Sequence, residues 1–159
     1  MFSCRRIAGL VAQLGSMLPS FEGVPRWRNG SAPVQRDIAG KPVLVHFFSS
    51  GCPLCGEGLP VVLRLGAALA PVGLVIIGAY QPRNDVHAQA ADADRECDVQ
   101  IGTAHRCAAD VDGILKLRFG HTWPPAYYVY DRAHRLRHFQ EGNWELETMA
   151  AAVERCVKI

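Results

Sequence analysis

Cys52-Pro53-Leu54-Cys55 is the pattern in this chain with the most direct chemical consequence. Two cysteines three positions apart at the start of a helix can close a disulfide across one turn and reopen it without unfolding their surroundings. Exchange needs a thiolate. A helix N-terminus, with unpaired N–H groups and the positive end of its dipole, brings a cysteine pKa down to about 3.5–7.5. Cys52, at the mouth of the helix, is then the nucleophile, and Cys55, one turn further in, the thiol that resolves the mixed disulfide. Pro53 suits the first helical turn, where its missing N–H costs no helix bond. The same spacing is also half a zinc site. A second close pair is missing, and Cys97, His105 and Cys107 offer only a loose set. A metal-binding carrier, or a redox-inert docking module, therefore stays open beside redox chemistry.

The elements that must position these cysteines follow from periodicity. Val43–Phe48 is an unbroken apolar and aromatic run apart from His46, suited to a strand covered on both faces, and Ser49-Ser50-Gly51 ends it. Leu59, Val62, Leu63, Gly66, Leu69 and Ala70 step by three and four, which predicts a helix from near Cys52 to before Pro71. Residues 74–80 read as a second buried strand, so this strand–helix–strand order implies a parallel pair. Residues 84–97 are expected to be a surface helix, and Ile114–Phe119 a short one. Ala126–Tyr130 and residues 136–140 flank a turn and predict an antiparallel hairpin, followed by a closing helix over residues 145–157. Residues 21–42, with three Gly and three Pro, read as a looped lead-in. The expected class is α/β: a mixed central sheet sandwiched by helices.

Composition bounds the rest. A chain of 159 residues, 49% hydrophobic, fits one domain with an ample core. Seventeen basic against fifteen acidic residues leave a net charge of +2, far from the lopsided balance of a nucleic-acid or anionic-membrane binder. Cys4, Cys97, Cys107 and Cys156 are expected to be small buried hydrophobes, with a Cys97–Cys107 bridge as the alternative. Residues 1–20 are read as a separate segment, with 21–159 as the domain. Ile7, Leu10, Val11, Leu14 and Leu18 recur at helical spacing, and Arg5-Arg6 before an apolar stretch resembles a targeting signal. An amphipathic docking helix is the expectation, and the cytoplasm is favoured over a bacterial cell envelope. No apolar stretch of about 18 residues stands out, so no spanning helix is expected.

Residues 40–55, from Gly40-Lys41-Pro42 through Cys52-Pro53-Leu54-Cys55, with Leu59-Pro60 behind them, resemble the thioredoxin-like redoxins of the TlpA type. Pro125-Ala126-Tyr127-Tyr128-Val129-Tyr130-Asp131 is similar to that family's cis-proline strand. Trp27-Arg28-Asn29, Gly78-Ala79-Tyr80-Gln81-Pro82, Trp123-Pro124-Pro125-Ala126 and residues 137–142 are most similar to the C-terminal thioredoxin-like domain of DipZ-type proteins, so the resemblance runs over about residues 21–157. It implies a thioredoxin fold and a protein disulfide oxidoreductase with a redox-active Cys52–Cys55 disulfide and no cofactor. The implied partners are protein thiol or disulfide substrates and an unidentified redox partner, and the chain is expected to be a monomer. Pro125 takes the cis-proline role beside the cysteines. The segment before it, Trp123-Pro124, takes substrate backbone, and Gly51, Pro53 and Leu54 form the rest of the substrate rim.

The sequence also departs from the family. Gly51 stands where a tryptophan commonly precedes the first cysteine, which implies a more open rim. His46 stands where thioredoxins carry a buried acid; it is expected either to move protons for Cys55 or to be a core histidine bonded to backbone. Trp123 comes one place earlier than the usual aromatic of the branch, and Pro124 is an added proline. Ser49, three before Cys52, resembles the residue that supports a peroxidatic cysteine, which leaves a peroxiredoxin-like thiol peroxidase as a further alternative. Asp92, Asp94, Glu96 and Asp98 alternate like calcium ligands, but Cys97 stands where the loop requires Gly, so they are read as a solvated helix face. The basic hairpin around Arg132, His134, Arg135, Arg137 and His138 is read as a solvated turn, and Tyr127, Tyr128 and Tyr130 as packing on both sheet faces.

Overall fold

Six consecutive buried residues, Val43–Phe48, form the centre of the protein. A strand with no exposed residue must be covered on both faces and paired along both edges. The computed structural model describes residues 12–82 and 89–159 and shows how this is met. In chain order the elements are β1 (Trp27–Arg28), α1 (Gln35–Ile38), β2 (Val43–Phe48), α2 (Pro53–Leu69), β3 (Val75–Tyr80), α3 (Ala90–Ile101), β4 (Arg106–Ala109), α4 (Ile114–Phe119), β5 (Ala126–Tyr130), β6 (Leu136–Glu141) and α5 (Leu146–Lys158). One sheet contains all six strands in the order β1-β4-β3-β2-β5-β6. β2, β3 and β4 run parallel; β1, β5 and β6 each run antiparallel to their neighbours, so the sheet is mixed as expected.

The period-two alternation of β2 sorts the core into layers. Val43, Val45 and Phe47 join Ile77, Ala79, Leu115, Phe119, Tyr128 and Leu136 on the face covered by α4 and the N-terminal segment. Leu44 joins Val62, Leu65, Ile76, Tyr127, Met149 and Val153 under α2 and α5. Phe48 belongs to a third cluster with Cys55, Tyr80, Cys97, Ile101 and Cys107, closed by α3. The tyrosines of β5 divide as expected, Tyr127 on one face and Tyr128 and Tyr130 on the other.

Several expectations change. Residues 12–18, the described part of the proposed N-terminal helix, form a turn and an isolated bridge from Met17 to Arg135 instead of a helix; residues 1–11 lie outside the described residues. Ala12 and Leu18 pack on the same core as the rest. Gly15 N–H and Leu136 N–H, donating to the Leu136 and Ser16 carbonyls, tie this segment to β6 and account for the extended backbone. The lead-in over residues 21–42 contains β1 and α1. The helix expected at 84–97 runs Ala90–Ile101, with residues 83–88 outside the described set. β4 is an addition: Arg-Cys-Ala-Ala has no strand-like alternation, and pairing with both β3 and β1 makes it one. Residues Pro53–Val72, with a mean hydropathy of 1.3, are long and apolar enough to cross a membrane, although no spanning helix was expected. Cys55, Gly58, Val62 and Leu65 of this stretch are buried within the protein.

The charged motifs resolve as surface pairing. Asp92, Asp94 and Asp98 of α3 form ion pairs with Arg95, Arg26 and Arg28. In the basic hairpin, Arg137 pairs with Asp131, and Arg132 donates to the Val157 and Ile159 carbonyls at the end of α5.

Phe47 is fully buried, with its ring against Phe119, His121 and Tyr128. Phe47→Ala should lower unfolding free energy by about 3–5 kcal/mol, read as a lower urea midpoint at unchanged slope. A loss below about 1 kcal/mol would show that this layer does not hold β2.

Candidate active site

Cys52 is the N-cap of α2, with extended backbone (φ −111°, ψ 102°), and its sulfur accepts the Cys55 N–H at 3.2 Å. Pro53 follows at the first helical position and has no N–H to leave unpaired. The helix thus directs a backbone donor at the Cys52 sulfur, where negative charge develops when the disulfide opens. Cys52 and Cys55 are joined in a disulfide, with Cα atoms 5.2 Å apart. Their exposure differs: Cys55 is 3% exposed, whereas Cys52 is partly open to solvent. Attack from outside therefore meets the Cys52 sulfur.

Pro124, Pro125 and Trp123 converge on this site from the other end of the sequence. The Pro124–Pro125 bond is cis, and the Pro124 carbonyl oxygen lies 4.0 Å from Cys52 Sγ. The pairing of β5 antiparallel to β2, with Ala126 opposite Phe47, brings the start of β5 to the cysteine end of β2. Trp123 is 66% exposed and Leu54 47%, and Gly51 and Pro53 are also exposed. Gly51 has φ +63°, a left-handed backbone that an L side chain adopts only with strain, and a Cβ there would meet open space. A tryptophan at this position would be unfavourable in this backbone, which explains the departure noted in the sequence.

His46 occupies neither of its expected settings. It is buried, its Nε2 shares a hydrogen bond with His105 Nε2 at 2.8 Å, and its ring stacks on Phe48. Among the described residues it hydrogen-bonds to neither cysteine nor backbone. Burial, and then the neighbouring His105, hold its pKa well below the ordinary imidazole range, so it is neutral at pH 7. Burial brings His105 down to about 4. Ser49 Oγ is buried and makes no hydrogen bond among the described residues, so it gives Cys52 no support of the peroxidatic kind. Cys97, His105 and Cys107 are not arranged around a metal position; among the described residues no group of three such side chains is.

Residues that sequence reasoning passed over hold the site in place. Asn143 donates to the Leu54 carbonyl inside the CxxC turn and accepts from the Tyr127 hydroxyl at 3.0 Å. Tyr127, whose pKa burial raises to about 12, reaches this point only because residue 58 is glycine: a Cβ there would sit 1.9 Å from its hydroxyl oxygen. Ser50 Oγ and the Tyr80 hydroxyl share a hydrogen bond at 2.8 Å beside the rim. His121, hydrogen-bonded to Tyr128 and Gln81, anchors the approach to Pro124 from below; burial, then Lys116, lower its pKa to about 4. Glu141 accepts the Thr122 N–H, and Gly142 N–H donates to the Pro125 carbonyl. Most of these contacts do not follow from spacing, because they join residues sixteen to eighty-nine positions apart.

No protein-family model matches the chain. Over 143 residues it is 29% identical to the thiol-disulfide oxidoreductase YkuV of Bacillus subtilis, covering 90% of this chain and 95% of that one. Over 133 residues it is 25% identical to the protein DipZ of Mycobacterium tuberculosis; this covers 80% of the chain but only 19% of DipZ. A thioredoxin-like protein solved in solution in its oxidised form matches with a TM-score of 0.74 at 27% identity, over 91% of this chain and 95% of that one. Fold, disulfide and relatives together define a thioredoxin-fold thiol–disulfide oxidoreductase. Within that class the chain is similar to thioredoxin-like redoxins, with part of DipZ among its relatives.

Two outcomes follow from the site. Gly58→Ala should destabilise the protein by about 1–3 kcal/mol despite alanine's better helix propensity, and adding Tyr127→Phe should recover part of the loss. Purely additive losses in urea titrations would disconnect the two residues. The three histidines whose pKa is held below the ordinary imidazole value, His46, His105 and His121, protonate more readily in the unfolded chain than in the folded one. Their contribution is therefore complete above about pH 6.5 and lost as pH falls, by up to about 2 kcal/mol for each histidine between pH 6.5 and 5. Unfolding free energy measured across that range should decline, and His105→Asn should flatten the decline by about a third; an unchanged slope would show that His105 is not protected.

Proposed function

We propose that the protein exchanges disulfides with protein substrates through Cys52 as nucleophile and Cys55 as resolving thiol. The single observation that carries this reading is the asymmetry of the pair: Cys52 is accessible and receives a backbone N–H, whereas Cys55 is buried behind it. In the reduced protein, the Cys52 thiolate attacks one sulfur of a substrate disulfide, and the other sulfur leaves as a thiolate and takes up a proton. Cys55, having given up its proton, then attacks Cys52 Sγ. The Cys52–Cys55 bond forms and the substrate leaves reduced, with two electrons passed to it. Run backwards, the same steps oxidise a dithiol. The two sulfurs carry the redox equivalents themselves.

The rim favours a peptide chain as substrate. Trp123 and Leu54 offer exposed apolar surface on either side of Cys52, and the backbone of Pro124 lies beside its sulfur, where an extended segment fits alongside. With Gly51 in place of a bulky residue, the rim offers less surface than a tryptophan would, which favours broad over tight substrate recognition.

With dithiothreitol as reductant, the protein should accelerate insulin reduction. Cys52→Ser should fall to the uncatalysed rate, whereas Cys55→Ser should accumulate mixed disulfides that dithiothreitol reverses. Full activity in Cys52→Ser would overturn the nucleophile assignment. The Cys52–Cys55 potential, measured against glutathione, sets the direction: near about −270 mV the protein acts as a reductant, near about −120 mV as an oxidant.

A further inference from the structure

Cys97 and Cys107 lie ten positions apart, on α3 and β4; that spacing leaves a bridge open but does not bring the two sulfurs together. The fold does. β4 pairs with β3 so that Cys107 stands opposite Gly78, and α3 packs over this edge of the sheet, with Arg26 and Arg28 bound to Asp94 and Asp98. The two sulfur atoms are 2.8 Å apart, closer than unbonded sulfurs ordinarily sit and only about 0.8 Å longer than a disulfide bond. Cys97 is 1% exposed and Cys107 is fully buried. Both sulfurs also lie within 3.6–3.7 Å of the same acceptor, the Ala108 carbonyl. Two thiols serving only as core filler would face apolar neighbours, as Cys156 does among Leu44, Val62 and Val153. These two face each other. The cluster they occupy is also that of Cys55, Phe48 and Tyr80, directly behind the exchange site.

We propose that Cys97 and Cys107 form a second dithiol–disulfide couple, whose oxidation bonds α3 to β4 behind the Cys52–Cys55 site. The oxidant is a small disulfide. One of the two thiols, deprotonated, attacks a sulfur of the oxidant and expels one thiolate. The other then attacks the newly bonded protein sulfur and expels the second. Two protein thiols become one disulfide, the oxidant becomes two thiols, and two electrons move from protein to oxidant. Burial holds Cys107 as the neutral thiol, and neither sulfur is open to solvent, so the reaction waits on α3 lifting from the sheet. The second couple is accordingly slow where the first is fast. Once formed, its bond closes a loop of about ten residues and keeps α3 seated over the wall behind Cys55.

The test uses the full chain with Cys52→Ser and Cys55→Ser, which removes the first couple and leaves Cys4, Cys97, Cys107 and Cys156. The variant is incubated with excess oxidised glutathione, alkylated in denaturant and mapped by mass spectrometry. The expected result is a Cys97–Cys107 linked peptide and the loss of two of the four alkylatable thiols, with a half-time at least tenfold longer than for Cys52–Cys55 closure in the wild type. The thermal midpoint of the oxidised form should rise by about 5–10 °C and return on reduction, and this shift should vanish when Cys97→Ala and Cys107→Ala are added. Four alkylated thiols, glutathione carried on either residue without a link, or a bond from either to Cys4 or Cys156 would overturn the proposal. Should the double serine variant fail to fold, the wild type reports the same thing as two linked pairs or one. Because insulin reduction is read separately, failure here leaves the Cys52 reading intact, and the reverse also holds.

Discussion

Everything in this protein depends on the complete burial of β2. A strand without exposed residues must find backbone partners on both edges, and here they are the parallel β3 and the antiparallel β5. It must also be covered on both faces, which divides its side chains between the α2/α5 layer and the α4 layer. The cysteines stand just beyond the end of this strand, so the most rigid part of the molecule holds the most reactive one. The antiparallel pairing with β5 brings the Pro124–Pro125 segment to the same end, and the two halves of the site meet because one strand is shared.

At that end the electrostatics are simple. α2 begins with a proline that has no N–H and presents the Cys55 N–H to the Cys52 sulfur. The turn itself is tied from outside, through Asn143 to the Leu54 carbonyl and through Tyr127 to Asn143. Gly58 is what permits this tie, because any larger residue would occupy the position of the tyrosine hydroxyl. The site is thus positioned by hydrogen bonds from β5 and the segment after β6, and only its electronic character comes from the helix that carries it.

Beneath the site the protein is unusual in what it buries. Thioredoxins resemble it in shape but place an acid where this chain has His46; here the buried polar group is a pair of neutral imidazoles sharing one hydrogen bond. A carboxylate at this depth would carry charge at neutral pH unless burial raised its pKa, whereas a buried imidazole sheds its proton and stays neutral. Gly78 leaves the space that His46, His105 and Cys107 fill together; a Cβ at that position would meet all three. The same glycine therefore underlies both the histidine pair and the approach of the two buried thiols.

Much of this was legible along the chain. The apolar run of β2, the helix after the CxxC, α4 and the β5–β6 hairpin follow from local periodicity and turn residues, because those patterns act over a few positions. Cys52, Pro53 and Cys55 were marked by residue type and spacing, whereas Gly51, Leu54 and the segment from Trp123 to Pro125 were marked by the resemblance to a known family. Other features were not. β4 and β1 have no strand pattern of their own and exist because β3 offers an unpaired edge. Residues 12–18 have helical periodicity but form a turn and a bridge, since Leu136 offers Gly15 and Ser16 backbone partners that an isolated segment lacks. Gly58 and Asn143 drew no role from their neighbours in sequence, because their partner Tyr127 stands on a different element. The sequence by itself determined that this chain has two cysteines poised for exchange at the head of a helix, because that chemistry is written within four residues. Only the tertiary structure decided which cysteine faces solvent, which groups lie behind it and which other thiols meet, because burial and contact between distant segments are properties of the packed sheet and not of any stretch of the chain.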